Sequence, residues 1–415
     1  MNSELFQIKI IGNPSQEAWG RVWRYATWMR EVGVGYLALE AKTLQLLLLK
    51  APPGGWFQGI RYIDWDVSPA TIPYAHIFFS PQLKTLNVYG AWHTTPTALE
   101  LSNTASVFSQ IPASALQTLT LRFNVPTGSS PDFDQSLRSV VLRCGSSLTQ
   151  FTATIPLSDA AVNHLFDLPH LKFVKIADFP PPHRNASFPK FFPPLTALFI
   201  IGRGAGEWNN LFIELERGVS AAQQVAPLFK MKESLRSLWF KMPYGSEIGS
   251  PFTVIRTFRN LSSLDVDHVC DQDYQGLCSF KMDDSNVAEL AATLPHLRSL
   301  ILGSPCSTNT CATTVACLLQ LSVRCPKLEA LCIHFNTTNI VNDLEDTLYD
   351  PRFQELRSLP RCSIERLTTG EIPLFIDEPG LQVVEEGLVD IFPNLVFCDG
   401  SEEWRVVAYR ITARA

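Results

Sequence analysis

Long apolar runs are missing from this 415-residue sequence. The longest, LQLLLL at 44–49, is far too short to cross a bilayer, which takes about 20 residues. The N-terminus, MNSELFQIKIIGNPS, does not join a charged region to a long apolar core, so it does not read as a signal peptide. Basic runs are missing too. With 34 Lys and Arg against 40 Asp and Glu the formal net charge is −6, which makes nucleic acid a poor partner. Ten cysteines occur without any C-x-x-C pair, and with no secretory leader they read as reduced thiols of an intracellular protein, cytoplasmic or nuclear. The loose group Cys306, Cys311 and Cys317 fits no zinc spacing, and Cys325, just ahead of Pro326, reads as a small buried residue. There is no G-x-S-x-G elbow, no Walker loop and no His-Glu metal helix. The glycines of GRGAGE (202–207) follow an apolar strand, but their G-x-G-x-G spacing is not the dinucleotide fingerprint and reads as a loop. Together these absences argue against an enzyme, a cofactor or a metal, a membrane and a nucleic acid.

Hydrophobic residues make up 46% of the chain and charged ones 18%, which is ordinary for a folded globular protein. Their arrangement is less ordinary. HLRSLILG (296–303) places Leu297, Leu300 and Leu302 in the pattern L-x-x-L-x-L, behind the helical run SNVAELAATLP. KLEALCIHF repeats it with Leu328, Leu331 and Ile333, behind TVACLLQLSVRCP. Upstream, the same three slots are filled by Ile60, Ile63 and Trp65; Leu83, Leu86 and Val88; Leu116, Leu119 and Leu121; then Leu148, Phe151 and Ala153. They continue through Leu171, Val174 and Ile176; Leu195, Leu198 and Ile200; Leu235, Leu238 and Phe240; then Leu261, Leu264 and Val266. Ile364, Leu367 and Thr369 form a weaker last copy. His170 and His296 share one L-P-H-L position, which points to a structural role.

A short strand with one apolar face cannot bury that face alone, whereas stacked copies build one parallel sheet covered by helices. Such a series is the signature of leucine-rich repeats. The expected fold is therefore an α/β leucine-rich-repeat solenoid, a horseshoe with a parallel concave sheet and convex helices. The gaps between successive first positions run from 23 residues (Ile60 to Leu83) to 40 (Leu195 to Leu235), too irregular for the short class with a fixed loop per turn. The expected organisation is an N-terminal helical cap over 1–55, the solenoid over 56–372 and a C-terminal cap over 373–415. Residues 15–50 are expected to be helical, with Trp19, Trp23, Tyr25 and Trp28 covering the first repeat. The end of the chain is expected to be a helix, a last strand and a polar terminus.

Side chains alternate along a strand, so the residue between the second and third slots points away from the core. That column is polar at its ends, with Asp64 and Asn87 early and Thr368 late, but its middle carries Phe199 and Trp239. Phe173 stands in the adjoining column. Apolar clusters on an outward face tend to mark interaction sites. Phe173, Phe199 and Trp239 are thus the candidate centre of a protein-binding surface, with Asp265 and Asp267 as an acidic edge suited to a basic contact. The alternative is that the chain covers the patch itself, for instance with the Pro-rich stretch 177–194.

Four stretches resemble the F-box/leucine-rich-repeat proteins of mushroom-forming fungi: EAWGRVWRYATWMREVGV (17–34), GIRYIDWD (59–66), IFFSPQLKTLNVY (77–89) and GLVDIFPNLVFCD (387–399). The first is similar to the segment that follows the F-box in that family. The resemblance implies a substrate receptor of an SCF-type ubiquitin ligase, in which the F-box binds the adaptor and the repeats bind the target. The F-box would lie before residue 15, and the fourteen residues there hold no such motif. The expectation is either a truncated gene model or a repeat-only relative that does not bind the adaptor itself.

Overall fold

The computed structural model describes residues 14–33, 41–52, 55–66, 72–90, 97–123, 131–155, 157–177, 193–201, 227–242, 255–268, 282–303, 312–370, 374 and 376–414. The chain divides into two compact units, one of residues 1–180 with 186–193, the other of residues 181–185 with 194–415. GRGAGE (202–207), Cys306, Cys311 and residues 178–192 of the Pro-rich stretch lie outside the described residues.

The first unit is a parallel sheet in sequence order. Its strands are β1 (Glu31–Gly33), β2 (Tyr62–Asp66), β3 (Thr85–Gly90), β4 (Thr118–Phe123), β5 (Gln150–Ala153) and β6 (Phe173–Ala177). The second unit repeats the plan with β7 (Ala197–Ile201), β8 (Ser237–Met242), β9 (Ser263–His268), β10 (Ser299–Leu302), β11 (Ala330–Ile333), β12 (Arg366–Gly370) and β13 (Phe397–Gly400). This is the leucine-rich-repeat architecture that the sequence pattern calls for.

Register shows why the leucines matter. The middle slots fall opposite one another: Ile63, Leu86, Leu119, Phe151 and Val174 in the first unit, and Leu198, Leu238, Leu264, Leu300, Leu331 and Leu367 in the second. All are 5% exposed or less. Each such burial is worth roughly 1.5–3 kcal/mol, and stacking sums it along the row.

The backbone repeats with the same regularity. At the entry of a strand, two successive N–H groups donate to one carbonyl of the preceding copy: Lys84 and Thr85 to Arg61, Gln117 and Thr118 to Lys84, Arg298 and Ser299 to Ser262, Glu329 and Ala330 to Arg298. A carbonyl has two lone pairs, so one oxygen can serve both donors. A tight turn precedes several of the strands, closed by Leu171 N to Leu168 O, Leu297 N to Leu294 O and Leu328 N to Cys325 O. Proline with its fixed φ suits the second position of such a turn, which explains Pro169, Pro295 and Pro326 at that place.

Helices cover the core side. Asp284–Thr293, started by a capping box of Asp283 and Asn286, buries Val287, Leu290 and Ala291. Ala316–Arg324 buries Leu318, Leu319 and Leu321 together with Cys317. Asp284 ties neighbouring copies by accepting from the backbone N–H and the hydroxyl of Thr314, both at 2.7 Å. Glu378–Ile391 lies so close to Ile340–Tyr349 that a Cβ on Gly387 would come within 2.8 Å of Leu344.

Three local expectations are corrected. Within 15–50, helices occupy Gln16–Trp28 and Ala41–Leu49, but β1 intervenes and pairs Val32 with Ile63. Three residues with a single core side chain are too short to show a repeat pattern. Of the four N-terminal aromatics, only Trp19 packs inward, its ring 5.7 Å from that of Trp56. Trp23, Tyr25 and Trp28 are 44%, 62% and 63% exposed. Helical phasing accounts for the last two, since at about 100° per residue Tyr25 lies about 120° and Trp28 about 180° around the helix from Trp19. Finally, the polar terminus is an amphipathic helix, Glu402–Arg414, that buries Trp404, Val407 and Ile411 and sets Trp404 edge-on to Phe335.

Candidate functional site

In the second unit, the row of residues that follow the middle leucines runs Phe199, Trp239, Asp265, Ile301, Cys332, Thr368, Asp399, one from each strand β7 to β13. These side chains point away from the leucine core, because they alternate with it along every strand. Phe199, Trp239, Asp265, Ile301, Cys332 and Thr368 are each half-buried, and Asp399 is exposed. The row thus forms a semi-covered surface rather than a second core.

The expected aromatic pair forms. The Phe199 and Trp239 rings lie 6.0 Å apart, tilted by 42°, inside the range in which aromatic pairs attract. On the next strand, the Trp239 side chain hydrogen-bonds to the Asp265 carboxylate. An indole has only its N–H to donate.

Asp265 is the electrostatic singularity of the row. Burial, and then the charge of Asp267, push its carboxyl up to about 6, while the Trp239 hydrogen bond and Lys241 pull the other way. Its Oδ1 is buried with no hydrogen-bond partner. Asp267 differs, because Lys241 on the neighbouring strand meets it at 3.0 Å. The acidic edge expected from the two residues is therefore uneven: Asp267 has a close ion-pair partner, whereas Asp265 keeps one buried oxygen without a hydrogen bond.

Cys332 lies two strands beyond Asp265, and burial followed by the charges of Asp265, Asp267 and Asp399 pushes its thiol up to about 11. Cys144, Cys325 and Cys398 are pushed by burial to about 12, and Cys362 to about 11. Thiols held so far above neutrality are poor nucleophiles. Among the described residues no group of three or more His, Cys, Asp or Glu is placed to hold a metal ion, and no helix is long and apolar enough to cross a membrane.

Phe173 belongs to the first unit, where it is half-buried and in register with Gln150. The face around it is of another character. Asn87 donates to the Tyr62 hydroxyl at 3.2 Å, and the Arg122 guanidinium lies 5.6 Å from the centre of the Tyr89 ring. Burial raises the Tyr89 phenol, helped by Asp64, and lowers the Lys175 ammonium, helped by Arg122. The first unit thus offers a polar, tyrosine- and cation-bearing face, and the second an aromatic and acidic one.

Two participants were not singled out in the sequence. Asp399 follows Cys398 as Trp239 follows Leu238, so the pattern Leu395-x-x-Cys398 would have placed it in the row had cysteine been admitted to a leucine slot. Lys241 stands two residues past Trp239, and parallel register alone sets it opposite Asp267.

No family model matches the sequence, and no curated protein does. Among solved structures, the chain is similar to a leucine-rich-repeat protein of Leptospira interrogans, at 13% identity and a TM-score of 0.32, over 95% of this chain and 82% of that one. The leucine-rich-repeat character of this chain is carried by its own strand register and buried rows.

Proposed function

We propose that the chain is a protein-binding repeat module, and that it supplies the substrate-recognition part of an F-box-type ubiquitin-ligase receptor. The observation that carries the binding reading is the half-buried Phe199–Trp239 pair on the face turned away from the core, beside a carboxylate that the fold leaves poorly matched. A partner covering the half-buried aromatics would gain much: tryptophan is enriched among interface hot spots. The ubiquitin link rests on the sequence resemblance around residues 17–34 and 387–399.

The experiment is affinity capture with the whole chain, followed by two measurements on the captured protein. Its binding should weaken when Trp239 is replaced, and its cellular level should rise when the gene for this chain is deleted. A captured protein that binds through Trp239 yet keeps its level and turnover supports the second reading, a repeat scaffold with no ubiquitin link. Binding indifferent to Trp239 contradicts both.

A further inference from the structure

In the first unit, the register of β3 to β6 sets Asn87, Thr120, Thr152 and Lys175 side by side, with Tyr89 and Arg122 paired two residues further along β3 and β4. Thr120 and Thr152 point away from the leucine core, yet they are only 8% and 7% exposed. Small outward side chains are buried when taller neighbours stand around them, so the two threonines form the floor of a trough. Asn87 and Lys175 flank it, and Gln150 and Arg122, both exposed, stand at its ends. Neither threonine hydroxyl bonds to another described residue, and neither is sealed from solvent. Asn87 is held by the Tyr62 hydroxyl, to which it donates at 3.2 Å. Arg122 lies 5.6 Å from the centre of the Tyr89 ring and forms no ion pair among the described residues. Contact with a ring does not use up the N–H fork of a guanidinium. Lys175 is already engaged, and it senses the Arg122 charge across the floor. Asp64, the acid of this face, stands beyond Asn87 from the threonines.

Resting on the protein-binding reading above, we propose that this trough takes the carboxylate of a Glu or Asp side chain from an acidic segment of the partner. The Arg122 guanidinium meets the carboxylate through paired N–H groups, the geometry in which such bonds are strongest. The Thr120 and Thr152 hydroxyls donate to it from the floor, since each carries one O–H. Charge complementarity selects a singly charged anion. Arg122 is the cation of the trough that no acid answers among the described residues, and Asp64 nearby disfavours a second negative charge. The strands hold every one of these groups in place before the partner arrives, which lowers the ordering cost of binding.

The test uses the full chain and two labelled heptapeptides of glycine and serine. One carries glutamate at positions three and five; the other carries glutamine, which keeps the shape but not the charge. Fluorescence anisotropy should show the glutamate peptide binding at least about tenfold more tightly. Arg122→Gln should abolish that preference, and Thr120→Val, which keeps the shape and removes the hydroxyl, should cut it several-fold. Arg138→Gln removes the same charge from the exposed side of the helix Pro131–Arg143 and should leave the preference intact. Arg122 is exposed, so a melting temperature of Arg122→Gln close to the parent's is expected and shows that the variant is folded. The inference is overturned if the two peptides bind alike, or if Arg138→Gln costs as much preference as Arg122→Gln, which would reduce the effect to general charge. A captured protein partner that depends on Trp239 but not on Arg122 would sink the carboxylate inference while leaving the protein-binding reading intact.

Discussion

Trp239 and Asp265 face each other across β8 and β9, and the indole donates its N–H to the carboxylate beside it. That bond only partly offsets the burial that pushes the Asp265 carboxyl up to about 6. Natural proteins tolerate such locally costly groups mainly where function needs them.

Asp265→Asn should therefore stabilise the isolated chain at neutral pH. The folded carboxyl is raised above its ordinary 3.8, so the native state holds its proton more tightly than the unfolded chain does. Its contribution is fully present below pH 3.8 and is lost as pH rises through about 6. After solvent screening, the gain above pH 7 should be on the order of 1 kcal/mol. Urea melts at pH 4 and pH 7.5 check this; a variant less stable than the parent at pH 7.5 would count against the account of Asp265.

His334 acts in the opposite sense. It is 3% exposed, and burial lowers its ring to about 4 from the ordinary 6.5. The unfolded chain takes up a proton at this residue where the folded chain does not, so stability should fall as pH drops from 6.5 toward 4. The loss attributable to this residue should approach about 3 kcal/mol. Comparing the parent with His334→Gln, which cannot titrate, isolates the effect. An equal pH slope for the two proteins would contradict it.

Leu300 tests the stack. It is fully buried in the middle slot of β10, paired with Leu264 and Leu331 on either side. Leu300→Ala should cost about 2–5 kcal/mol, from lost transfer energy and the cavity left behind. An unchanged thermal melt would be incompatible with the leucine rows as the source of stability.

How much of this was visible beforehand depended on the kind of signal. The leucine slots were legible because every copy is short, local and periodic: the slot assigned to Leu86 or Leu331 is the one found in register. The outward column could be read from the same alternation, which is how Phe199, Trp239 and Asp265 came to the fore. Where a strand is too short to show a pattern, as around Val32, or a slot is filled by an unusual residue, as at Cys398, the signal vanished. Pairing between strands followed from the stacked slots, but only one outward column was traced along them. Lys241 meets Asp267 one residue past the third slot of β8 and β9, a column that the same parallel register sets in line. The N-terminal aromatics show a third limit: abundance of ring residues said nothing about which face of Gln16–Trp28 each would occupy.

The central claim is that the face around Trp239 is there to bind a protein. Its most direct test is the affinity of a captured partner for Trp239→Ala, measured beside the melting temperature of the variant. The account predicts a loss of at least about 2 kcal/mol in binding, or roughly thirtyfold, with the melting temperature nearly unchanged. Unchanged affinity, or a variant that loses several kcal/mol of folding stability instead, would make Trp239 a packing residue and contradict the claim.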